Sequence, residues 1–325
     1  MQHRLQEDHA SFVSQSDSEA LLRAIGARVR DPRAGIFGAE STTWKISRES
    51  ALFLGAGRAA ILQLAHPWVA TALQQHSSLL ARPVTRFHNT FRVVFTLVFG
   101  TLDQALGAAR HLHALHTAIR GEMTEAVADY ERGSHYQANE IAALRWVFAT
   151  LIESAVLAYD SVLPPLKPQE REAYYAESKI LAGLFGIPPA ALPADWDQFA
   201  EYNREMVQSN SLGVSGVARS MAQNLLLGAG SWIHPPRWYR ALTAMWLPER
   251  FREEFALDFS AGDRRCAERA LRRLPTVYRR LPSPIRFVGP WREARARLQN
   301  RRSGALVELS NRFWIGQARL PFADG

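Results

Sequence analysis

The sequence of 325 residues contains one cysteine, Cys266. A disulfide framework within the chain is excluded, and so is a cluster of thiolate metal ligands. Lysine is nearly absent. Only Lys45, Lys167 and Lys179 occur, so arginine supplies the other 36 of the 39 basic residues. Familiar catalytic signatures are missing too. There is no HExxH or ExxH metal motif, no Walker A loop, no GxSxG elbow and no GxGxxG after a strand. Gly55-Ala56-Gly57-Arg58 lacks the third glycine and the flanking strand, and reads as a tight entry into a helix. No stretch approaches twenty strongly apolar residues. The longest uncharged run, 59–81, carries Gln63, His66, Gln74, Gln75 and His76, which suits a buried helix pair. Met1 to Ser18 is polar and lacks the apolar core of a signal peptide. These absences predict a soluble, cytoplasmic protein with no integral membrane segment.

What is present is ordinary globular material: 47% hydrophobic and 22% charged, with a net charge of +8. Arginine enrichment suits anionic ligands, nucleic acid or acidic membranes, and it also arises as a compositional background. The basic stretch from Arg264 to Arg302 is the segment to test for such binding. The expectation is a solvated basic face with no nucleic-acid partner. Helical spacing dominates. Helices are predicted near Ser18–Val29, through Ser47–Leu80 with a break or restart at Pro67, and from Val84 to Gly100. The next is predicted to start after Thr101 and stop at Gly121. Others follow at 136–159, 169–185, 195–209, 215–227, 235–246, 248–255, 263–273 and 290–302. Alternating strand patterns are scarce. The fold class is all-α, with residues 1–45 as a peripheral arm and 46–325 as one large helical domain.

The chemistry concentrates in the histidines. Seven of the ten fall between His66 and His135. Leu102, Leu106, Ala109, His113, His116 and Arg120 recur at steps of three and four, which places them on one helical face. That face turns from apolar to imidazole and guanidinium. A buried unpaired polar group is costly, so this end needs a polar partner. A neutral imidazole ligates metal, and a nearby arginine neutralises an anionic ligand group. A histidine hydrogen-bonded inside a helical bundle is the plainer alternative. A second pair, Arg86 and Thr90, shares a face away from the apolar Phe87, Phe91 and Val94 stripe. It is placed to orient a small polar ligand such as dioxygen, or simply to cap its helix. His66 and His76 are ten residues apart and do not share a face. A non-haem site built from His111, His113 and His116 is disfavoured, because His111 lies off the common face.

Several segments together resemble the rubber-oxygenase, MpaB-like catalytic-domain family. It includes latex-clearing protein and the fungal oxygenase that cleaves a prenyl side chain in mycophenolic acid biosynthesis. The matching pieces are 65–70 (Ala-His-Pro-Trp-Val-Ala), His76-Ser77, Arg86 with Thr90, and 116–121 (His-Thr-Ala-Ile-Arg-Gly). Further pieces are 136–139, 146–150, Tyr174-Tyr175, 184–188 and the arginine-rich end from Arg286 to Arg297. The resemblance implies an all-α fold enclosing one haem b. His116 then corresponds to the proximal iron ligand, and Arg86 and Thr90 to the distal polar residues. His113 becomes a supporting neighbour. Arg120, Arg58 and His66 become candidates to pair with the haem propionates. The implied activity is oxidative C=C cleavage of a small lipophilic, unsaturated, isoprenoid-like substrate by dioxygen, in a pocket including Phe87, Phe91 and Phe148. The electron donor is not implied. A haem protein without oxygenase turnover (peroxidase-like, sensing or haem-handling) is the alternative. Two positions depart from the family pattern: Asn89 stands where latex-clearing proteins carry a distal lysine, and Phe148 where many bacterial members carry histidine. The first removes a lysine-closed haem from the expectation. The family's polymer-cleaving members are secreted, so rubber is not the expected substrate.

Overall fold

The computed structural model describes residues 12–76, 83–229 and 234–321. Residues 1–11 of the expected arm, and Ser77 of the His76-Ser77 motif, lie outside the described residues. The described chain is all-α apart from one two-stranded antiparallel sheet. It begins with α1 (Gln15–Gly26), α2 (Thr42–Ser47), α3 (Ala56–Leu64), α4 (Pro67–His76), α5 (Pro83–Phe99) and α6 (Leu102–Ala118). Strands β1 (Arg120–Glu122) and β2 (His135–Gln137) follow. Next are α7 (Ile141–Val162), α8 (Pro168–Leu184), α9 (Trp196–Gln208) and α10 (Gly216–Leu227). The chain continues through α11 (Arg237–Trp246), α12 (Glu249–Glu254), α13 (Ala261–Arg280), α14 (Ser283–Arg286), α15 (Gly289–Leu298) and α16 (Ala305–Ile315).

Helix α7 is the central post, packed by α3, α8, α13 and the turn at residues 50–55. Its start is set by Glu140, whose carboxylate accepts the N–H groups of Ala142 and Ala143. Neighbours on several sides explain why it is apolar around most of its circumference. Among the described residues it is the one helix long and apolar enough to cross a membrane, and 56% of its apolar window is buried inside the protein. Gly55 and Gly57 permit the close packing beside it. A Cβ on Gly55 would sit 2.4 Å from the Ser154 carbonyl oxygen, and one on Gly57 would sit 2.8 Å from Thr243 Oγ1. One continuous core runs from Val13 and Leu22 to Ile315 and Leu320.

Several expected boundaries move. Pro67 opens α4 as its first residue, so it restarts a helix rather than kinking one. Helix α6 stops at Ala118, three residues short of Gly121. Ile119 is extended, and Arg120, Gly121 and Glu122 pair with Gln137, Tyr136 and His135. Gly121 suits this crossing, because a Cβ there would lie 2.5 Å from Gln75 Oε1 and 2.7 Å from the Tyr136 hydroxyl oxygen. The same pairing holds residues 135–137 as a strand and delays the next helix to Ile141. Helix α13 continues through Pro275 to Arg280. Helix α16 is an addition to the expected set.

Candidate functional site

Helices α5 and α6 form an antiparallel hairpin joined at Gly100-Thr101, and its two ends differ. At the closed end Phe95 to Gly100 and Gln104, Ala105, Ala108 and Ala109 are buried. Thr101 and Gln104 form a capping box: the Gln104 N–H donates to Thr101 Oγ1, and the Thr101 N–H donates to Gln104 Oε1. The last carbonyls of α5 lack helical partners and find others. Trp44 Nε1 donates to the Val98 oxygen at 2.9 Å. Arg297 Nη2 donates to the Phe99 oxygen at 2.7 Å, a cation placed at the negative end of the helix. Towards the open end, Arg86, Asn89 and Thr90 of α5 are exposed, and so are His111, Leu115 and Thr117 of α6.

His116 of α6 and Arg86 of α5 lie close enough at this open end for the guanidinium charge to act on the imidazole. The His116 ring is half-buried, and its pKa is pushed down to about 4. Burial is the main cause, followed by repulsion from the Arg86 guanidinium and from His113. The ring is therefore neutral at physiological pH, the form that ligates metal. Part of Arg86 is open to solvent, yet enough protein surrounds its guanidinium for burial to lower its pKa as well. Thr90 follows one turn along α5.

The other candidates are distributed around this pair. His113 is half-buried, with Nε2 3.5 Å from Thr117 Oγ1. It borders a cavity of about 770 Å³ between α1 and the end of α6, together with Phe12, Asn139 and Arg120. Arg110, also on that border, is held by Glu19 of α1 at 2.9 Å. Arg120 does not extend the His113–His116 face as expected, because the helix has ended and Arg120 belongs to β1. His66 is fully enclosed beside Trp68 and Tyr130, with Nε2 3.4 Å from the Tyr130 hydroxyl oxygen. His76 Nε2 lies 3.1 Å from the Arg120 carbonyl oxygen. Arg58 is buried and committed: it donates to the Trp246 oxygen, Ser154 Oγ and Glu153 Oε2. Phe87 and Phe91 pack at a tilt against Phe53, and Phe148 packs on Phe199 of α9. Among the described residues no three His, Cys, Asp or Glu side chains gather for a metal ion, so the His111, His113 and His116 triad is not assembled.

One buried ionic node escaped the sequence reading. Glu49 accepts two hydrogen bonds from Arg286 and one from the Tyr278 hydroxyl, tying α13 and α14 to the start of the core. A single glutamate before a helix gives no signal of partners more than two hundred residues away.

The described geometry belongs to a chain whose residues 44–280 match the family model described as "ER-bound oxygenase mpaB/B'/Rubber oxygenase, catalytic domain". The match covers most of the chain, and the chain belongs to this family of oxygenases. No curated protein and no solved structure matches it. The family region ends at Arg280, the last residue of α13, and leaves α14 to α16 outside it.

Proposed function

We propose that the chain is a haem-b-dependent oxygenase that holds its prosthetic group between the open ends of α5 and α6. His116 would supply the protein ligand to its iron. The substrate is a small lipophilic, unsaturated molecule of isoprenoid type, cleaved at a C=C bond with dioxygen. The observation that carries this reading is the juxtaposition of a neutral, half-buried His116 with Arg86 in a member of an oxygenase family.

The donor set fits haem better than a bare ion. One imidazole binds iron durably only when other ligands complete the coordination, and a porphyrin brings four nitrogens of its own. Haem, when bound, supplies the redox chemistry of dioxygen activation. The chain supplies the rest. The His116 ring keeps its nitrogen lone pair because burial, and secondarily the Arg86 charge, disfavour protonation. The Arg86 guanidinium and the Thr90 hydroxyl present donors towards a small polar ligand between the helices. Leu115, 45% exposed at the open end, offers apolar surface to a lipophilic substrate.

The test is an absorption spectrum after reconstitution with hemin, for wild type and His116→Ala, together with oxygen uptake in the presence of an unsaturated isoprenoid such as squalene. A Soret band lost in the variant and substrate-dependent uptake in the wild type are expected. No Soret band in the wild type overturns the haem reading. A band without uptake, across a series of unsaturated isoprenoids, favours a haem protein that does not turn over.

A further inference from the structure

Helix α16 is built inside out. Its buried stripe is Val307, Asn311 and Ile315, while Leu306, Leu309 and Phe313 point to solvent. Leu306 is 66% exposed, Leu309 63% and Phe313 55%. Spaced three and four apart, they form one narrow stripe on a single face. Helix α14 lies against α16 and adds Ile285, 57% exposed. Scattered exposed leucines need no explanation, but a contiguous row does.

Among the described residues, the exposed charged side chains within and just before α16 are arginines. Arg301 and Arg302 precede α16, and Arg312 lies beside the stripe; all three are exposed. The carboxylate of α16, Glu308, is half-buried and lies 3.4 Å from Arg319. Residues 264–312 hold fourteen arginines, no lysine and three carboxylates, a net +11 in a chain whose total is +8. The remainder is therefore net −3. Positive charge is thus concentrated along the sequence in 264–312 rather than spread evenly.

We propose that the exposed face of α14 and α16 docks on the surface of an anionic lipid bilayer. The leucines and phenylalanine enter the interfacial zone, and the arginines meet lipid phosphates. Nucleic acid would use the arginines but leave the apolar row in water. Pairing with a second copy would bury the row but set arginine against arginine, the described carboxylate of the helix, Glu308, being held by Arg319. A bilayer satisfies both features at once. The position also matters. Helix α16 packs on α5: His88 Nε2 is 3.0 Å from the Phe313 carbonyl oxygen, Arg92 Nε donates to the Ile315 oxygen, and Trp314 stacks on Phe53 at 4.1 Å. His88 and Arg92 flank Asn89 and Thr90, so docking holds the open end of the hairpin beside the bilayer. That last consequence, delivery of lipophilic substrate, rests on the oxygenase reading; the docking itself does not.

Flotation of the purified full chain tests this with two vesicle types, pure phosphatidylcholine and equal parts phosphatidylcholine and phosphatidylglycerol. Wild type should bind the anionic vesicles at least about tenfold more tightly than the neutral ones. The triple variant L306S/L309S/F313S should lose on the order of a hundredfold in affinity. Its melting temperature should hold, since all three side chains are already exposed. R301S/R302S/R312S should lose on the order of a hundredfold and flatten the salt dependence. Wild type that fails to float overturns the proposal, and so does a triple variant that floats normally. Duplex DNA binding without vesicle binding assigns the patch to nucleic acid instead. A wild-type dimer lost in the triple variant, again without vesicle binding, assigns it to self-association. No readout uses haem or turnover, so failure here leaves the oxygenase proposal standing.

Discussion

The two ends of the α5–α6 hairpin use the same backbone for opposite purposes. At the closed end the chain meets every requirement of a stable interior: aromatic packing, satisfied carbonyls and a capping box. At the open end it leaves a guanidinium, an amide and two hydroxyls exposed beside a half-buried imidazole. The first end holds the helices together, and the second presents polar side chains to solvent. Stability and reactivity are thus separated along one pair of helices, and each can be disturbed without the other.

The largest expected effect is at the closed end. Trp44→Ala removes a fully buried ring and its hydrogen bond to the Val98 oxygen. It should cost about 3–5 kcal/mol of unfolding free energy in a denaturant titration. His116→Ala should do the reverse. Haem affinity should fall by at least about a hundredfold in a hemin titration, with unfolding free energy of the haem-free chain changed by less than about 1 kcal/mol. A large stability loss in His116→Ala would erase the distinction between the ends.

Acidity provides a subtler probe. The His116 ring has an ordinary pKa of 6.5 and a folded value of about 4. Between those values the unfolded chain takes up the proton and the folded chain does not. The stability linked to this group is complete above pH 6.5 and is lost as pH falls towards 4. The haem-free wild type should therefore lose up to about 1.4 kcal/mol per pH unit more than His116→Gln across that window. Parallel curves would mean that the ring is not held neutral. The smallest effect is expected from Thr101→Ala, which removes the N-cap oxygen of α6 and should cost about 1 kcal/mol by thermal denaturation.

Much of this was legible in residues with local jobs. Thr101, Asp195 and Ser215 each cap the helix they were expected to start. Gly186 adopts φ +89° just past α8, where a stop was expected. Other features were invisible because their causes are distant. The end of α6 depends on pairing with residues 135–137, and three-residue strands are too short to show alternation. Helix α16 misleads periodicity outright. Its buried stripe contains Asn311, which spans Glu293 and the Ala318 oxygen, while Leu306, Leu309 and Phe313 face outwards. The proximity of His116 and Arg86 is a relation between two helices, and spacing within either one is silent about it. The resemblance to known oxygenases singled out both residues, and the geometry adds that they are neighbours.

The Thr101–Gln104 cap has a further consequence. A helix advances about 100° and 1.5 Å per residue, so whatever anchors its first turn also sets the bearing of every side chain further on. With the cap locked into the hairpin turn, the azimuth of His116 is decided more than ten residues upstream of the imidazole. One alanine inserted after Gln104 would leave a perfectly good helix with its histidine aimed a quarter-turn or more off target. The cap is the zero mark on the dial from which the site is read.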